Sequence, residues 1–218
     1  MDREELKKIT DFNIEEYIPN FYKFGYFTNQ NNIKLNAKVL DEFYEDIVNK
    51  SLRQRITISS ISINLKEDIF IYKLFNDLLC NEEHPIIRFY FLYQIIELLI
   101  KKVFADQFNK KIASISPKNE DLFDLNKRLQ EMTDEKWRVN LLLTKYSNVR
   151  SPELEELLLN FLGITDKNQS YTLAYLLYKT RTFLVHNLRD IKLEQKNLMN
   201  DINFYFERVV IYLLINYK

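Results

Sequence analysis

Glycine occurs only twice in this 218-residue chain, and proline four times. Tight hairpin turns and phosphate-cradling loops depend on glycine's freedom at positive φ, so such a chain has few ways to build them. Long helices joined by short polar connections are favoured over a sandwich or barrel of many strands. Hydrophobic residues make up 46% and charged residues 28%, which supplies a sizeable core and is not the balance of a disordered chain. The length suits one large domain, or one domain with an appendage.

Formal net charge is zero, with 31 Lys and Arg against 31 Asp and Glu. A whole-molecule field that draws in nucleic acid is therefore excluded, and any polyanion site must be a local patch. Cys80 is the single cysteine, so no intramolecular disulfide can form and a cytoplasmic location is expected. The start, Met1-Asp2-Arg3-Glu4-Glu5, lacks the apolar stretch of a signal peptide. The longest apolar run, Ile86 to Ile100, is interrupted by Arg88, Gln94 and Glu97, whereas a bilayer span needs about 20 mostly apolar residues. The run reads as a buried helix, and no membrane partner is expected.

Along the chain, a short acidic helix is expected over Asp2–Thr10, with Pro19 breaking the pattern that follows. The aromatic cluster Phe21–Phe27 reads as buried against the bundle, with an interaction surface as the alternative, and Asn29–Asn32 as a loop. Val39, Leu40, Phe43, Tyr44, Ile47 and Val48 recur at helical spacing, with Asn36 as N-cap. Ile56, Ile58, Ile61 and Ile63 nearly alternate with Thr and Ser, making this the best strand candidate, or else a connecting segment. Asp68 to Cys80 returns to helix, with Ile71, Phe75, Leu78 and Leu79 on its apolar side.

The boundary falls in the polar stretch Asn81-Glu82-Glu83-His84-Pro85, where His84 belongs to a helix start and Pro85 suits the first turn. This gives an N-terminal helical extension of unknown role, 1–82, and a helical bundle, 83–218. In the bundle, a helix from Pro85 to about Phe108 is apolar nearly all round and should be central. Ile112–Pro117 reads as a loop, followed by helices over about 119–132 and 134–147, the second capped by Thr133. Ser151-Pro152-Glu153 opens a further helix that Gly163 closes. Helices over about Ser170–Asp190 and Glu194–Tyr217 complete an all-α chain.

Two histidines, His84 and His186, and one cysteine rule out a Cys/His zinc site, and the scarcity of glycine rules out a P-loop or dinucleotide fingerprint. No metal site and no cofactor are expected. What stands out is Tyr178-Lys179-Thr180-Arg181-Thr182-Phe183-Leu184-Val185-His186-Asn187-Leu188-Arg189. Leu173, Leu177, Leu184 and Leu188 follow one apolar stripe, and Arg181 falls inside it. A guanidinium there must be paired or face a polar cleft. His186 lies on a neighbouring polar side with Lys179, Thr182 and Arg189, about 140° around an ideal helix from Arg181. The plainer alternative makes Arg181 a structural ion-pair partner and His186 a surface histidine.

Arg181, four residues, then His186, late in an all-helical domain, resembles the R-x4–6-H motif of the HEPN superfamily. Leu173-Ala174-Tyr175 and Arg181-Thr182-Phe183-Leu184-Val185-His186-Asn187 are similar to its RN-x-L-x-H form. Thr182 departs from it, standing where Asn, Asp or His is more usual. The resemblance covers about residues 84–218 and includes the long helix with its lone Glu97. It implies a HEPN-like helical bundle. It also implies a metal-independent endoribonuclease with catalytic Arg181 and His186, of the toxin or phage-defence kind. The partners it implies are an RNA substrate and a second copy of the chain, since a homodimer would place two motifs in one cleft. A protein partner or the N-terminal part would hold such an activity in check. The alternative is a non-catalytic HEPN-like module that binds a nucleotide or a protein.

Supporting residues follow from their positions. Glu97 can orient Arg181 from a facing helix, or pair with Lys101 at i, i+4. Lys179, Arg181, Arg189 and Lys192 against Asp190 leave residues 179–192 at +3, suited to a phosphate backbone. Lys101, Lys102, Lys110, Lys111 and Lys118 against Asp106 make 101–118 a second patch, at +4. Tyr178 can stack on a base or belong to the core. Asn187 completes the motif's neighbourhood.

Overall fold

The computed structural model describes residues 13–23, 58–114, 122–165 and 171–218. The expected helices over Asp2–Thr10 and from Asn36, the aromatics Phe24–Phe27 and the loop Asn29–Asn32 lie outside the described residues. The chain divides into two compact units, Met1–Asn81 and Glu82–Lys218. Among the described residues the fold is all-α, with eight α-helices and no strand.

In the first unit, a 3-10 turn Ile14–Tyr17 is capped by Asn13, whose Oδ1 accepts the Glu15 N–H at 3.1 Å. It leads into α1, Ile18–Lys23. Pro19 does not break this helix. It occupies the second position, where its missing N–H deprives no acceptor. Phe21 is half-buried, while Tyr22 is buried edge-on to Phe75, with ring centroids 5.3 Å apart. The expected β segment is corrected where it is described. Residues 58–62 have no regular structure, and Ile63–Leu65 forms a 3-10 turn. The Ile61 N–H donates to Glu16 O at 2.8 Å, and among the described residues no strand continues a ladder.

Helix α2, Ile69–Lys73, passes directly into a π-helical turn, Leu74–Leu78, closed by Leu79 N–H donating to Leu74 O at 2.8 Å. The wider turn shifts the apolar phase. Leu74 joins Ile71, Phe75 and Leu79 in the core, while Leu78, expected inside, is exposed.

The second unit is built around α3, Pro85–Ser114, which packs on four other helices of the bundle, Leu122–Thr133, Glu135–Leu141, Leu173–His186 and Leu193–Asn216. Ile86, Phe89, Leu92, Tyr93, Ile96, Leu99, Ile100 and Val103 recur at three- and four-residue spacing and are buried, as is Ile95 beside them. The helix runs past Phe108 through the expected loop start at Ile112. No Gly or Pro interrupts it there, and Lys110 pairs back to Asp106 at 2.5 Å.

Next come α4, Leu122–Thr133, and α5, Glu135–Leu141, which runs on as a π-helical turn, Leu142–Tyr146. The cap of α5 is Asp134 rather than Thr133. Asp134 Oδ1 accepts the Trp137 N–H at 2.9 Å, and the Thr133 hydroxyl donates to Gln130 O. Helix α6, Pro152–Leu162, has Pro152 in its first turn and ends on Gly163 at φ 66°. Helix α7, Leu173–His186, is shorter than expected. Thr172 caps its start, and the chain leaves at Asn187 for a 3-10 turn, Leu188–Asp190. Helix α8, Leu193–Asn216, lies along α3 and is tied to it at the buried pair Arg88–Glu207, 2.7 Å apart. Among the described residues no helix is long and apolar enough to cross a membrane.

Candidate active site on helix seven

Helix α7 forms because Thr172 Oγ1 accepts the Tyr175 N–H and its apolar residues fall on one face. Leu173, Ala174, Leu176, Leu177, Thr180 and Leu184 are buried against neighbouring helices. Leu188, placed in that stripe by its spacing, is instead 54% exposed, because the helix has already ended. Arg181 sits at the flank of the buried face, on the side that meets α3.

There Arg181 Nη2 donates to Glu97 Oε1 at 3.3 Å, with side-chain exposures of 33% and 40%. The guanidinium also lies 6.0 Å from the ring centroid of buried Tyr93, a residue one turn before Glu97 on α3. The Tyr93 hydroxyl donates in turn to Glu135 Oε1 at 3.0 Å, which brings α5 into the cluster. Burial raises the Tyr93 phenol well above its ordinary value, and Glu135 adds to that, so it stays a neutral donor. Burial also raises Tyr90, opposed by the Arg181 charge. A guanidinium carries five N–H donors, and among the described residues only one of these meets a protein acceptor. The rest are free to take phosphate oxygens. No bond joins Glu97 to Lys101 among the described residues.

His186 is the last residue of α7 and is exposed, with no side-chain partner among the described residues. Its flanks are apolar and also exposed: Val185 is 47% accessible, and Leu188 lies two residues beyond. No hydrogen bond or ring contact joins Arg181 to His186. The Thr182 hydroxyl donates to Tyr178 O at 2.9 Å, one turn back on its own helix, so it does not hold Arg181. Tyr178 is half-buried, neither core nor fully open. Lys179 is exposed, with Nζ 5.7 Å from the Tyr175 ring. Asn187 is the C-cap, where its N–H donates to Phe183 O at 2.8 Å, and Arg189 is exposed in the turn beyond. In the second basic patch, Lys110 is engaged by Asp106 and by the Tyr146 ring.

The sequence did not single out Tyr90, Tyr93 and Glu135. Tyr93 and Glu97 are spaced i, i+4 in the mostly apolar stretch Ile86–Ile100, which was the available signal. Glu135 is 42 residues away from Tyr93 and carried none. Among the described residues no group of three or more His, Cys, Asp or Glu side chains could hold a metal ion. No protein-family model, curated protein or solved structure matches the chain.

Proposed function

We propose that the second unit is a HEPN-like bundle and that the chain is a metal-independent endoribonuclease acting as a toxin or phage-defence effector. One observation carries this reading. Arg181 is held against Glu97 by a single hydrogen bond, stays one-third exposed, and shares a helix with an open histidine. A buried structural ion pair would use more of the guanidinium's donors and exclude solvent from it.

In the proposed reaction the RNA 2′-oxygen attacks its adjacent phosphorus. The O2′–P bond forms and the P–O5′ bond breaks. One imidazole takes the 2′-hydroxyl proton, and a protonated imidazole gives a proton to the departing 5′-oxygen. The Arg181 fork bears on the phosphorane-like transition state through oxygens that carry the growing charge. One chain offers one such imidazole, His186, so a two-fold dimer supplies the second. Glu97 positions Arg181, while Lys179 and Arg189 extend the phosphate contacts.

The test is incubation of the protein with total RNA in EDTA, wild type beside His186→Ala. The expected fragments end in 2′,3′-cyclic phosphate and 5′-hydroxyl groups, and the variant is slower by roughly 10²–10⁴-fold. Cleavage by the variant at the wild-type rate overturns the assignment.

A further inference from the structure

A cavity of about 510 Å³ opens where the start of α5 faces the start of α7, lined by Trp137, Tyr171, Tyr175, Lys136 and Asn140. This volume lies within the range of small-ligand clefts. Tyr171 and Tyr175 stack on each other, with centroids 5.3 Å apart, and form one aromatic wall. The half-buried indole of Trp137 has no aromatic partner among the described residues. Two ammonium groups already stand over Tyr175, Lys136 at 4.7 Å and Lys179 at 5.7 Å. One carboxylate, exposed Asp134, is among the lining residues, and its Oδ1 accepts the Trp137 backbone N–H at 2.9 Å.

That combination selects its occupant. An aromatic cage built for a cationic ligand would not place two lysines at its own ring. Aromatic faces beside lysines fit a planar base on a phosphate chain. The exposed Asn140 carboxamide, with no partner among the described residues, offers a donor and an acceptor to a base edge.

The cavity is also aligned with the active-site histidine. Tyr175 and His186 are eleven residues apart on α7, about 20° apart in phase and roughly 16 Å along the axis of an ideal helix. Lys179 and Thr182 lie on the same line between them. A strand leaving the cavity along this face crosses Lys179 and arrives at His186.

We propose that this cavity seats one base of single-stranded RNA a few nucleotides from the bond that is cut, and so sets which sites are cleaved. This deepens the ribonuclease reading and rests on it. Trp137 is the chain's single tryptophan, so its fluorescence reports on the cavity alone.

The probe is a single-stranded RNA octamer carrying 2′-O-methyl groups, which has no attacking hydroxyl. The expected result is saturable quenching of Trp137 in the full chain. Tyr175→Ala should weaken binding by about 5- to 100-fold while Tyr175→Phe retains it. Lys136→Ala, an exposed change that leaves the fold intact, should weaken binding and reduce its salt dependence by about one phosphate contact. No quenching at millimolar octamer, or equal affinity in Tyr175→Ala, overturns the proposal. So does equal quenching by an abasic octamer, since phosphate alone would then be read. Equal affinity for adenosine 5′-monophosphate overturns the RNA assignment in favour of a free nucleotide. Quenching without cleavage of the 2′-hydroxyl octamer keeps the cavity and sinks the nuclease. Cleavage without quenching does the reverse.

Discussion

At the scale of single residues, Arg181 and Glu97 separate stability from activity. Both side chains are at least one-third exposed, so their ion pair contributes no more than about 1 kcal/mol to folding. Glu97→Gln should therefore leave the unfolding midpoint nearly unchanged. It should slow RNA cleavage by on the order of 10- to 100-fold, because the charge-assisted bond that aims the guanidinium becomes a weaker neutral one. Arg181→Lys keeps the charge but loses the fork, and should be nearly as damaging as Arg181→Ala. A double-mutant cycle in cleavage rate with no coupling between positions 97 and 181 removes Glu97 from the site. A second residue-scale effect concerns alkaline pH. Burial, with smaller help from Tyr146 and Asp106, pushes the Tyr217 phenol from its usual value near 10 up to about 12. Between those values the folded chain holds a proton that the unfolded chain has lost. The resulting stability is complete below pH 10 and falls by roughly 2–3 kcal/mol by pH 12. Denaturant titrations of Tyr217→Phe across that window should show a correspondingly shallower decline.

At the scale of elements, Gly163 ends α6 at φ 66° with open space where a Cβ would stand. Gly163→Ala meets no neighbour, so its effect is backbone strain alone. It should lower stability by about 1 kcal/mol, as read by urea unfolding, with cleavage unchanged. This helix was legible because residues near both ends mark it: Pro152 and Glu153 in the first turn, where Ser151 makes no side-chain cap bond, and Gly163 at the close. Elsewhere local chemistry left a choice. Thr133 and Asp134 are both able to cap α5, and only the folded geometry turns Asp134 toward the Trp137 N–H. The end of α3 carried no stop signal, and the helix outran its expected bound. The π-helical turn at Leu74–Leu78 exchanged Leu74 for Leu78 in the core, a shift that a 3.6-residue period does not contain. In the candidate site, Arg181 was visible as a charge inside an apolar stripe. Tyr93, Glu135 and the Trp137 cavity depend on which helices meet, and no single segment records that.

At the scale of the whole molecule, stability rests on a buried ion pair between helices and the proposed activity on a second copy of the chain. Arg88 and Glu207 are buried together between α3 and α8, and Asn203 beside them donates to Pro85 O at 2.7 Å. Removing one partner leaves a buried charge uncompensated, so Glu207→Ala should destabilise by about 3–5 kcal/mol, whereas an apolar pair at both positions should be far milder. The proposed chemistry needs two imidazoles in one cleft, where α7 supplies only His186. Val185 and Leu188 are half-exposed beside His186, and Leu193 is more exposed still, an apolar rim suited to a second copy of the chain around the two-fold axis. Because these side chains are already exposed, Leu188→Lys should leave the folded monomer intact. It should, however, shift sedimentation toward monomer, and cleavage should fall in step. For the wild type, cleavage per chain should rise with protein concentration and level off where sedimentation shows the dimer complete. A rate per chain that stays constant from nanomolar to micromolar protein, with a monomer throughout, excludes the composite site.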